Sequence, residues 1–186
     1  MIEANFNPFP DMTTQRLRLR AVEPTDQQEI FSLRSDHRVN QYLDRDPAHT
    51  IQDAINFIDR IINGIEKNEI IYWGICLKEN PRLIGTVGLF NISLKSSTAE
   101  VGYELHPFYQ GKGIMFEAIN TVLKFGFEKM KLNSIFAECS KNNKDSIRLL
   151  ERLGFRLDGA LTTEAPPRND LEFVSYRLDA PSKKDS

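Results

Sequence analysis

The amino-acid sequence predicts an α/β (α+β) fold, a single domain in which a mixed, mostly antiparallel sheet of about six to seven strands carries helices on both faces. Apolar residues switch repeatedly between a period of two, typical of strands, and a period of three to four, typical of helices. Three consecutive strand candidates are joined by short turns, which favours an antiparallel meander, and helices separate the later strands. With 186 residues, the chain suits one sizeable core and is too short for two ordinary domains.

The elements are predicted in order from these periods. The clearest is a helix at 50–67, because isoleucines recur at steps of three and four behind Thr50, a good N-cap residue. Another helix opens at Pro24, and two more span about 114–130 and 144–153. Strands are predicted at 17–22, 70–77, 83–92, 98–106, 134–139, 155–161 and 171–178.

The composition is that of a globular protein without a strongly charged partner. Hydrophobic residues make up 40% of the chain and charged residues 27%, and the formal net charge is -2, so no nucleic acid partner is expected. Arg16, Arg18 and Arg20 alternate with apolar residues, which predicts the solvent-facing side of a strand rather than a polyanion patch. Because no basic leader and no membrane-length apolar run occurs, a cytoplasmic, unanchored protein is expected.

The ends of the chain and its two cysteines are not expected to take part in catalysis or in binding. Residues 1–13 and 180–186 are polar or Pro-rich and are expected to be flexible tails, which leaves 14–179 as the domain. Cys76 and Cys139 lie in apolar, strand-like runs without CxxC spacing or a His cluster. Buried free thiols in a reducing compartment are therefore expected, and a metal site is not.

The segment expected to carry chemistry is a strand, a glycine loop and a helix between Tyr103 and Ala118. Gly111 and Gly113 let the main chain approach a ligand closely, and the first N–H groups of the following helix are unpaired at the positive end of its dipole. Such a helix start binds phosphate. Lys112 either adds a charge-assisted contact or is merely solvated. The spacing fits neither GxxxxGK(S/T) nor GxGxxG, which disfavours those nucleotide folds.

The glycine loop belongs to a set of motifs that is specific in combination. The set comprises Gln110-Gly-Lys-Gly-Ile-Met115, Arg16-Leu-Arg-Leu-Arg20 with Asp26, Leu83-Ile-Gly-Thr-Val-Gly-Leu89, Glu100-Val-Gly-Tyr103, Glu117-Ala118, Asn143-Lys-Asp-Ser146 and Leu150-Glu-Arg-Leu-Gly-Phe155. Over about residues 14–178 the chain resembles the GNAT superfamily of acyl-CoA-dependent N-acetyltransferases, whose R/Q-x-x-G-x-G/A loop cradles the pyrophosphate of coenzyme A. Within it, the chain is similar to the ribosomal-protein serine/alanine N-acetyltransferase branch, including an Asp170…Tyr176 pairing.

The resemblance implies acetyl-CoA as cosubstrate, without a metal. The residues implied to bind it are Leu105, His106, Gln110, Gly111, Lys112, Gly113, Ile114, Met115, Asn143 and Ser146. Met115 departs from the family's Gly or Ala, and its side chain is expected to point away from the pyrophosphate. In the resembling branch the Ser of the N-x-x-S motif lies near the sulfur, so Ser146 is expected to protonate the leaving thiolate. Asn143 is expected to bind the pantetheine arm or to cap the helix that begins there, and both roles are compatible.

The general base is left open between three carboxylates. Glu100, Glu104 and Glu138 lie on strands that flank the expected cleft, and alternation places Glu100 and Glu104 on one face. The resemblance supports Glu100 and Glu138, whereas placement alone supports Glu104. For each one singly, a solvated or structurally bonded carboxylate is the more ordinary interpretation. His106 has no nucleophile beside it and is not expected to be catalytic. Leu150 stands where many family members carry a tyrosine acid, which leaves that role to Ser146 or water.

The residues and the resemblance together predict direct acetyl transfer from acetyl-CoA to a primary amine, in a cleft where strands 98–106 and 134–139 splay apart. An amino-terminal amine, such as that of a ribosomal protein, is the leading acceptor. The alternatives are a small amine (amino acid, polyamine or antibiotic) and a domain that binds acyl-CoA without catalysis. Acceptor choice is expected to depend on 35–50 and 162–170. The resemblance implies a homodimer, and no nucleic acid or membrane partner is expected.

Overall fold

The computed structural model describes residues 4–160 and 171–181, which form one open sheet of eight strands with helices on both faces. The strands are β1 Met12–Thr13, β2 Leu17–Ala21, β3 Ile71–Leu77, β4 Asn80–Ser93, β5 Thr98–Leu105, β6 Ser134–Ser140, β7 Arg156–Ala160 and β8 Phe173–Asp179. The helices are α1 Gln27–Ser35, α2 His37–Asn40, α3 Ile51–Glu66, α4 Ile114–Lys124 and α5 Lys144–Arg152, and a π-helical turn, Phe125–Lys129, follows α4 directly.

The sheet confirms the predicted α/β (α+β) class. Its strand order is β1-β2-β3-β4-β5-β6-β8-β7, and each neighbouring pair is antiparallel except β5 and β6, which are parallel. The predicted meander is formed by β3, β4 and β5. The seven predicted strands are all present in the described residues, and the two-residue β1 is the eighth.

Helix α3 forms for the reason that its sequence indicates. Thr50 is the N-cap, and its Oγ1 accepts the N–H of Asp53 at 3.3 Å, while the Asp53 carboxylate accepts the N–H of Thr50 at 2.9 Å. This reciprocal capping box satisfies two backbone donors at the helix start. The apolar side of α3, which includes Phe57, Ile58 and Ile61, is buried against β3 and α1.

Two apolar clusters occupy opposite faces of the sheet. The larger packs α4 against the sheet around Trp73, which is fully buried in β3, and the smaller packs α1 and α3. Consecutive residues of β3 serve different clusters, Ile75 the larger and Cys76 the smaller, because strand side chains alternate between faces. Cys76 and Cys139 are buried free thiols, as predicted.

The segment before β1 packs onto the sheet, although 1–13 was expected to be a flexible tail. Phe6 is only 3% exposed, and Phe9 lies edge-on to Trp73. The indole N–H of Trp73 donates to the carbonyl of Pro10 at 2.9 Å. A buried indole needs a hydrogen-bond acceptor, and this segment supplies one. Periodicity gives no sign of such packing, because the segment forms no helix and no long strand.

The arginines of β2 do not all lie on a solvent-facing side, which corrects the expectation from their alternation. Arg18 is exposed, but Arg20 is largely buried and contacts both carboxylate oxygens of Asp26, at 2.7 and 2.8 Å. The hydrogen bond to Asp26 raises the pKa of Arg20 against the opposing effect of burial. A bidentate pair of this kind is among the stronger side-chain interactions. It gives a structural reason for Arg20 and Asp26, which both belong to the same motif of the set.

Some predicted features lie outside the described residues. They are the acceptor segment 162–170, the Asp170 half of the pairing with Tyr176, and residues 182–186 of the carboxyl-terminal tail.

Within residues 4–160 and 171–181, no helix combines the length and apolarity needed to cross a membrane. The same residues contain no group of three or more His, Cys, Asp or Glu side chains arranged to hold a metal ion.

Candidate active site

The site opens where pairing between two central strands stops. β5 and β6 pair through residues 98–100 and 134–136, and no pairing between them continues beyond these residues in the described chain. A cavity of about 490 Å³ opens beside the last residues of β5. Its walls come from the loop into α4, the first turn of α4, helix α5, and α2 with the residues that follow it. The sheet therefore has the splay that the sequence predicted.

The loop between β5 and α4 ends in an open helix start. Gly111 and Gly113 have φ angles of 71° and 73°, in the left-handed region that favours glycine. Gly113 is the N-cap of α4 and offers no side-chain acceptor, so the N–H groups of the first turn are left for a ligand. A Cβ at Gly111 would meet nothing within 4 Å. Ile114 and Met115 are buried in the larger cluster, and both border the cavity.

Arg16, which directly precedes β2, and Glu117, in the first turn of α4, brace this loop. Arg16 donates from Nη1 to the carbonyl oxygen of Lys112 at 2.9 Å and from Nε to the Glu117 carboxylate at 2.7 Å. Glu117 also accepts the Thr14 hydroxyl and the N–H of Arg16. Burial would raise the pKa of Glu117, but the hydrogen bonds from Thr14 and Arg16 outweigh it and lower that pKa. The brace thus holds an ionised carboxylate in the first turn of α4 and links it through Arg16 to the loop.

The other loop residues of the predicted set are held by local contacts. Gln110 donates from Nε2 to the carbonyl of Leu105 at 2.9 Å, which closes the loop on the end of β5. His106 Nδ1 accepts the N–H of Phe108 at 3.3 Å, so His106 caps a short 3-10 turn. Lys112 places its Nζ 4.2 Å from the centre of the Phe108 ring. Its charge therefore lies over an exposed aromatic ring beside the loop.

Two hydroxyl groups meet at the other end of the cavity. The Tyr103 hydroxyl lies 2.7 Å from Ser146 Oγ, and both residues border the cavity. Asn143 is the N-cap of α5, and its Oδ1 accepts the N–H of Ser146 at 3.1 Å. Burial raises the pKa of Tyr103 above its usual value, and the hydrogen bond to Ser146 only partly offsets this. The phenol therefore stays protonated at neutral pH.

Glu104 is held between two arginines. Its side chain is 4% exposed, and its carboxylate lies 3.2 Å from Arg34 Nη1 and 2.5 Å from Arg45 Nη2. Arg34 comes from α1, and its guanidinium lies 3.7 Å from the centre of the Phe57 ring. Burial lowers the pKa of Arg34, while the charge of Glu104 acts in the opposite direction. Both carboxylate oxygens thus face a cation, which leaves Glu104 poorly placed to accept a proton.

The other two base candidates lie away from the cavity. Glu100 shares a face of β5 with Glu104, as predicted, but its carboxylate accepts Asn91 Nδ2 at 2.8 Å. Burial raises the pKa of Glu100, and the bond from Asn91 opposes that shift. Glu138 is exposed on β6. Among the described residues, the structure brings Glu104 to the cavity wall and neither Glu100 nor Glu138.

Three residues of the site carry no individual role in the sequence-based prediction, although Arg45 lies in the predicted acceptor segment 35–50. Tyr103 stands in the Glu100-Val-Gly-Tyr103 motif, so the motif already pointed to it, but its contact with Ser146 joins residues 43 positions apart. Arg34 and Arg45 belong to no motif. Only their convergence on Glu104, from α1 and from the loop after α2, distinguishes them from solvated arginines.

The comparisons with known proteins agree with this architecture. A splayed α/β sheet with an open helix start beside the splay is the framework of an acyl-CoA-dependent transferase. The family model for the acetyltransferase (GNAT) domain matches residues 16–156. The chain belongs to the GNAT acetyltransferase family, and it is an N-acetyltransferase with acetyl-CoA as its cosubstrate.

Individual relatives span most of the chain. It is 33% identical to the N-acetyltransferase YoaA of Bacillus subtilis over 153 residues, which cover 82% of this chain and 86% of the relative. It is 28% identical over 159 residues to the ribosomal protein uS5 alanine N-acetyltransferase of Escherichia coli, with 82% and 81% covered. A solved structure of RimL, a ribosomal L7/L12 alpha-N-protein acetyltransferase in complex with coenzyme A, superimposes with a TM-score of 0.82 at 18% identity, covering 92% and 98%. This last likeness concerns the fold.

Proposed function

We propose that this acetyltransferase modifies the amino-terminal amine of a protein or peptide. The observation that carries the proposal is one continuous cavity that joins the open helix start at Gly113, the Tyr103 and Ser146 hydroxyls and the wall formed by α2. The sequence relative that is named for ribosomal protein uS5 alanine acetylation supports the choice of acceptor. The homodimer implied by the resemblance stays a prediction, which sedimentation of the purified protein checks.

In the proposed reaction, the main-chain N–H groups at Gly111, Gly113 and the first turn of α4 hold the pyrophosphate of acetyl-CoA. The thioester then lies near Ser146, at the start of α5. A neutral amine attacks the thioester carbonyl, a C–N bond forms, and the C–S bond breaks. Ser146 donates a hydrogen bond to the departing sulfur, and the proton released by the amine passes to solvent. No covalent enzyme intermediate is needed.

The charges of the cavity wall favour a peptide amine over a polyamine. Among the described wall residues, the carboxylates are Glu104, which lies between Arg34 and Arg45, and Asp145, which pairs with Arg148 at 2.6 Å. A polyamine would need carboxylates free to face its additional ammonium groups. A peptide amino terminus has a single amine to place. A small amine such as an amino acid remains the second candidate acceptor.

A thiol-release assay tests the acceptor directly. Acetyl-CoA and the purified protein are incubated with amino-terminal peptides beginning with Ser or Ala, with amino acids and with spermidine. We expect the peptides to give the highest kcat/KM and spermidine the lowest. Faster turnover of spermidine than of every peptide contradicts the proposed acceptor. Coenzyme A binding without release of thiol for any amine contradicts the proposed transfer.

A charge placed on the glycine loop should weaken coenzyme A binding. Gly111→Asp and Gly111→Asn add side chains of nearly equal shape at a position whose φ both residues tolerate better than other non-glycine residues. Any loss of affinity that the added bulk causes is therefore shared by both variants. The Asp carboxylate also repels the pyrophosphate, so we expect Gly111→Asp to raise the Kd for coenzyme A about tenfold more than Gly111→Asn.

Isothermal titration calorimetry with coenzyme A measures this difference. Raising the salt concentration should reduce the difference in Kd between the two variants, because the repulsion between the Asp carboxylate and the pyrophosphate is electrostatic. Equal dissociation constants for Gly111→Asp and Gly111→Asn would show that no phosphate lies at this loop. Pantetheine, which lacks the pyrophosphate, is the matched control ligand and should not distinguish the variants.

A further inference from the structure

The contact between Tyr103 and Ser146 joins two elements on either side of the splay. Tyr103 lies near the end of β5, and Ser146 lies in the first turn of α5. Their oxygen atoms are 2.7 Å apart, a normal distance for a hydrogen bond between hydroxyls. Both side chains border the cavity, and Ser146 is 9% exposed. The pair therefore lies at the cavity surface while being largely shielded from bulk water.

We propose that Tyr103 is a positioning residue of the transfer step, which donates its proton to Ser146 Oγ and so turns the Ser146 hydroxyl proton toward the leaving sulfur. The inference rests on the proposed function, in which Ser146 serves the departing thiolate. It adds a second residue, on strand β5, that decides whether the Ser146 hydroxyl can donate a hydrogen bond to the sulfur.

The distance alone allows either hydroxyl to donate, and we take the Tyr103 phenol as the donor. Ser146 is the hydrogen-bond partner of the Tyr103 hydroxyl within residues 4–160 and 171–181, so the phenol proton has one acceptor there. Burial raises the pKa of the nearby Cys139 thiol, and the Ser146 hydroxyl partly opposes that shift. When its oxygen accepts from Tyr103, the Ser146 hydroxyl keeps its own proton free to donate to a sulfur atom.

This arrangement suits a leaving thiolate. A hydroxyl that both accepts and donates is polarised, so its donated hydrogen bond strengthens. The thiol of coenzyme A is a much stronger acid than a serine hydroxyl, so the sulfur leaves as a thiolate that accepts this hydrogen bond. The amine loses one proton to solvent and the thiolate later takes one from solvent, so the reaction balances without a net change at either hydroxyl.

A double-mutant cycle tests the proposal. Tyr103→Phe, Ser146→Ala and the double variant are assayed by thiol release with the best acceptor found for the wild-type protein. We expect each single variant to lower kcat about tenfold, the value of one hydrogen bond to a charged group, and the double variant to lower it by no more than the larger single loss. The Kd for coenzyme A should stay within about twofold in Tyr103→Phe, which separates this role from general packing.

Ser134→Ala is the matched control, because Ser134 is a buried serine at the paired end of β6, and its kcat should stay near the wild-type value. Two outcomes overturn the positioning role but leave the proposed function standing. One is a wild-type kcat in Tyr103→Phe, and the other is a kcat about a hundredfold lower in the double variant, because independent losses multiply. A weakened Kd for coenzyme A in Tyr103→Phe also overturns it, since packing then explains the effect. Absence of turnover by the wild-type protein overturns the proposed function, and this inference with it.

Discussion

Glu104→Gln is expected to lower the free energy of unfolding by about 3 kcal/mol, because it leaves two buried guanidinium groups without their shared anion. Arg34 and Arg45 are 13% and 22% exposed in their side chains, and both contact the same carboxylate. The neutral amide of Gln cannot compensate the repulsion between the two guanidinium groups, and both groups are poorly accessible to water. Urea denaturation followed by tryptophan fluorescence measures the loss, since the chain has one tryptophan in its core.

The matched control for this variant is Glu100→Gln on the same face of β5. Glu100 is only partly buried and accepts from Asn91, without an arginine beside it in the described residues, so we expect a loss below about 1 kcal/mol. Adding Arg45→Met to Glu104→Gln removes one of the unpaired cations and should restore part of the stability. A Glu104→Gln variant with wild-type stability but no activity would instead identify Glu104 as the general base.

Gly88→Ala is expected to destabilise the protein by about 3 kcal/mol through overpacking. A Cβ at Gly88 would lie 2.1 Å from a ring carbon of Tyr72, the residue opposite it on β3. The Tyr72 ring also meets Phe57 of α3 edge-on, so it cannot move aside without disturbing that helix. For a chain of this length, the loss corresponds to a decrease in Tm of about 6 to 12 °C, measured by differential scanning calorimetry.

Gly159→Ala provides the control for the general cost of alanine in a strand of this sheet. A Cβ there meets nothing within 4 Å, so Tm should change by less than about 2 °C. Combining Gly88→Ala with Tyr72→Leu replaces the rigid ring by a smaller, flexible side chain and should recover part of the loss. An unchanged Tm in Gly88→Ala would mean that the Tyr72 ring has another favourable position.

The regular elements were predictable because the forces that form them act over short stretches of sequence. The stripe of isoleucines and the Thr50 cap define α3, and turns between the alternating segments define the meander of β3, β4 and β5. The glycine loop was predictable for the same reason, because two glycines before a helix can specify an open helix start locally. The predicted family is confirmed by the matched GNAT domain.

The contacts that complete the site depend on residues far apart in sequence. Tyr103 and Ser146 meet across 43 positions, and Arg34 reaches Glu104 across 70. No local pattern distinguishes an arginine that will face a buried carboxylate from one that stays solvated. The packing of Phe9 on Trp73 escaped prediction in the same way, because it requires the folded sheet to be present first.

The pairing between β5 and β6 ends early, so over residues 101–105 the edge of β5 that faces β6 has no strand of the described chain beside it, while its other edge stays paired with β4. The peptide groups on that edge need partners, and water or an extended ligand must supply them. The pantetheine arm is itself a chain of amides, so it can take the place of the absent strand. An acetyl thioester of a short thiol lacks those amides, and the enzyme should discriminate against it even though its reactive group is the same.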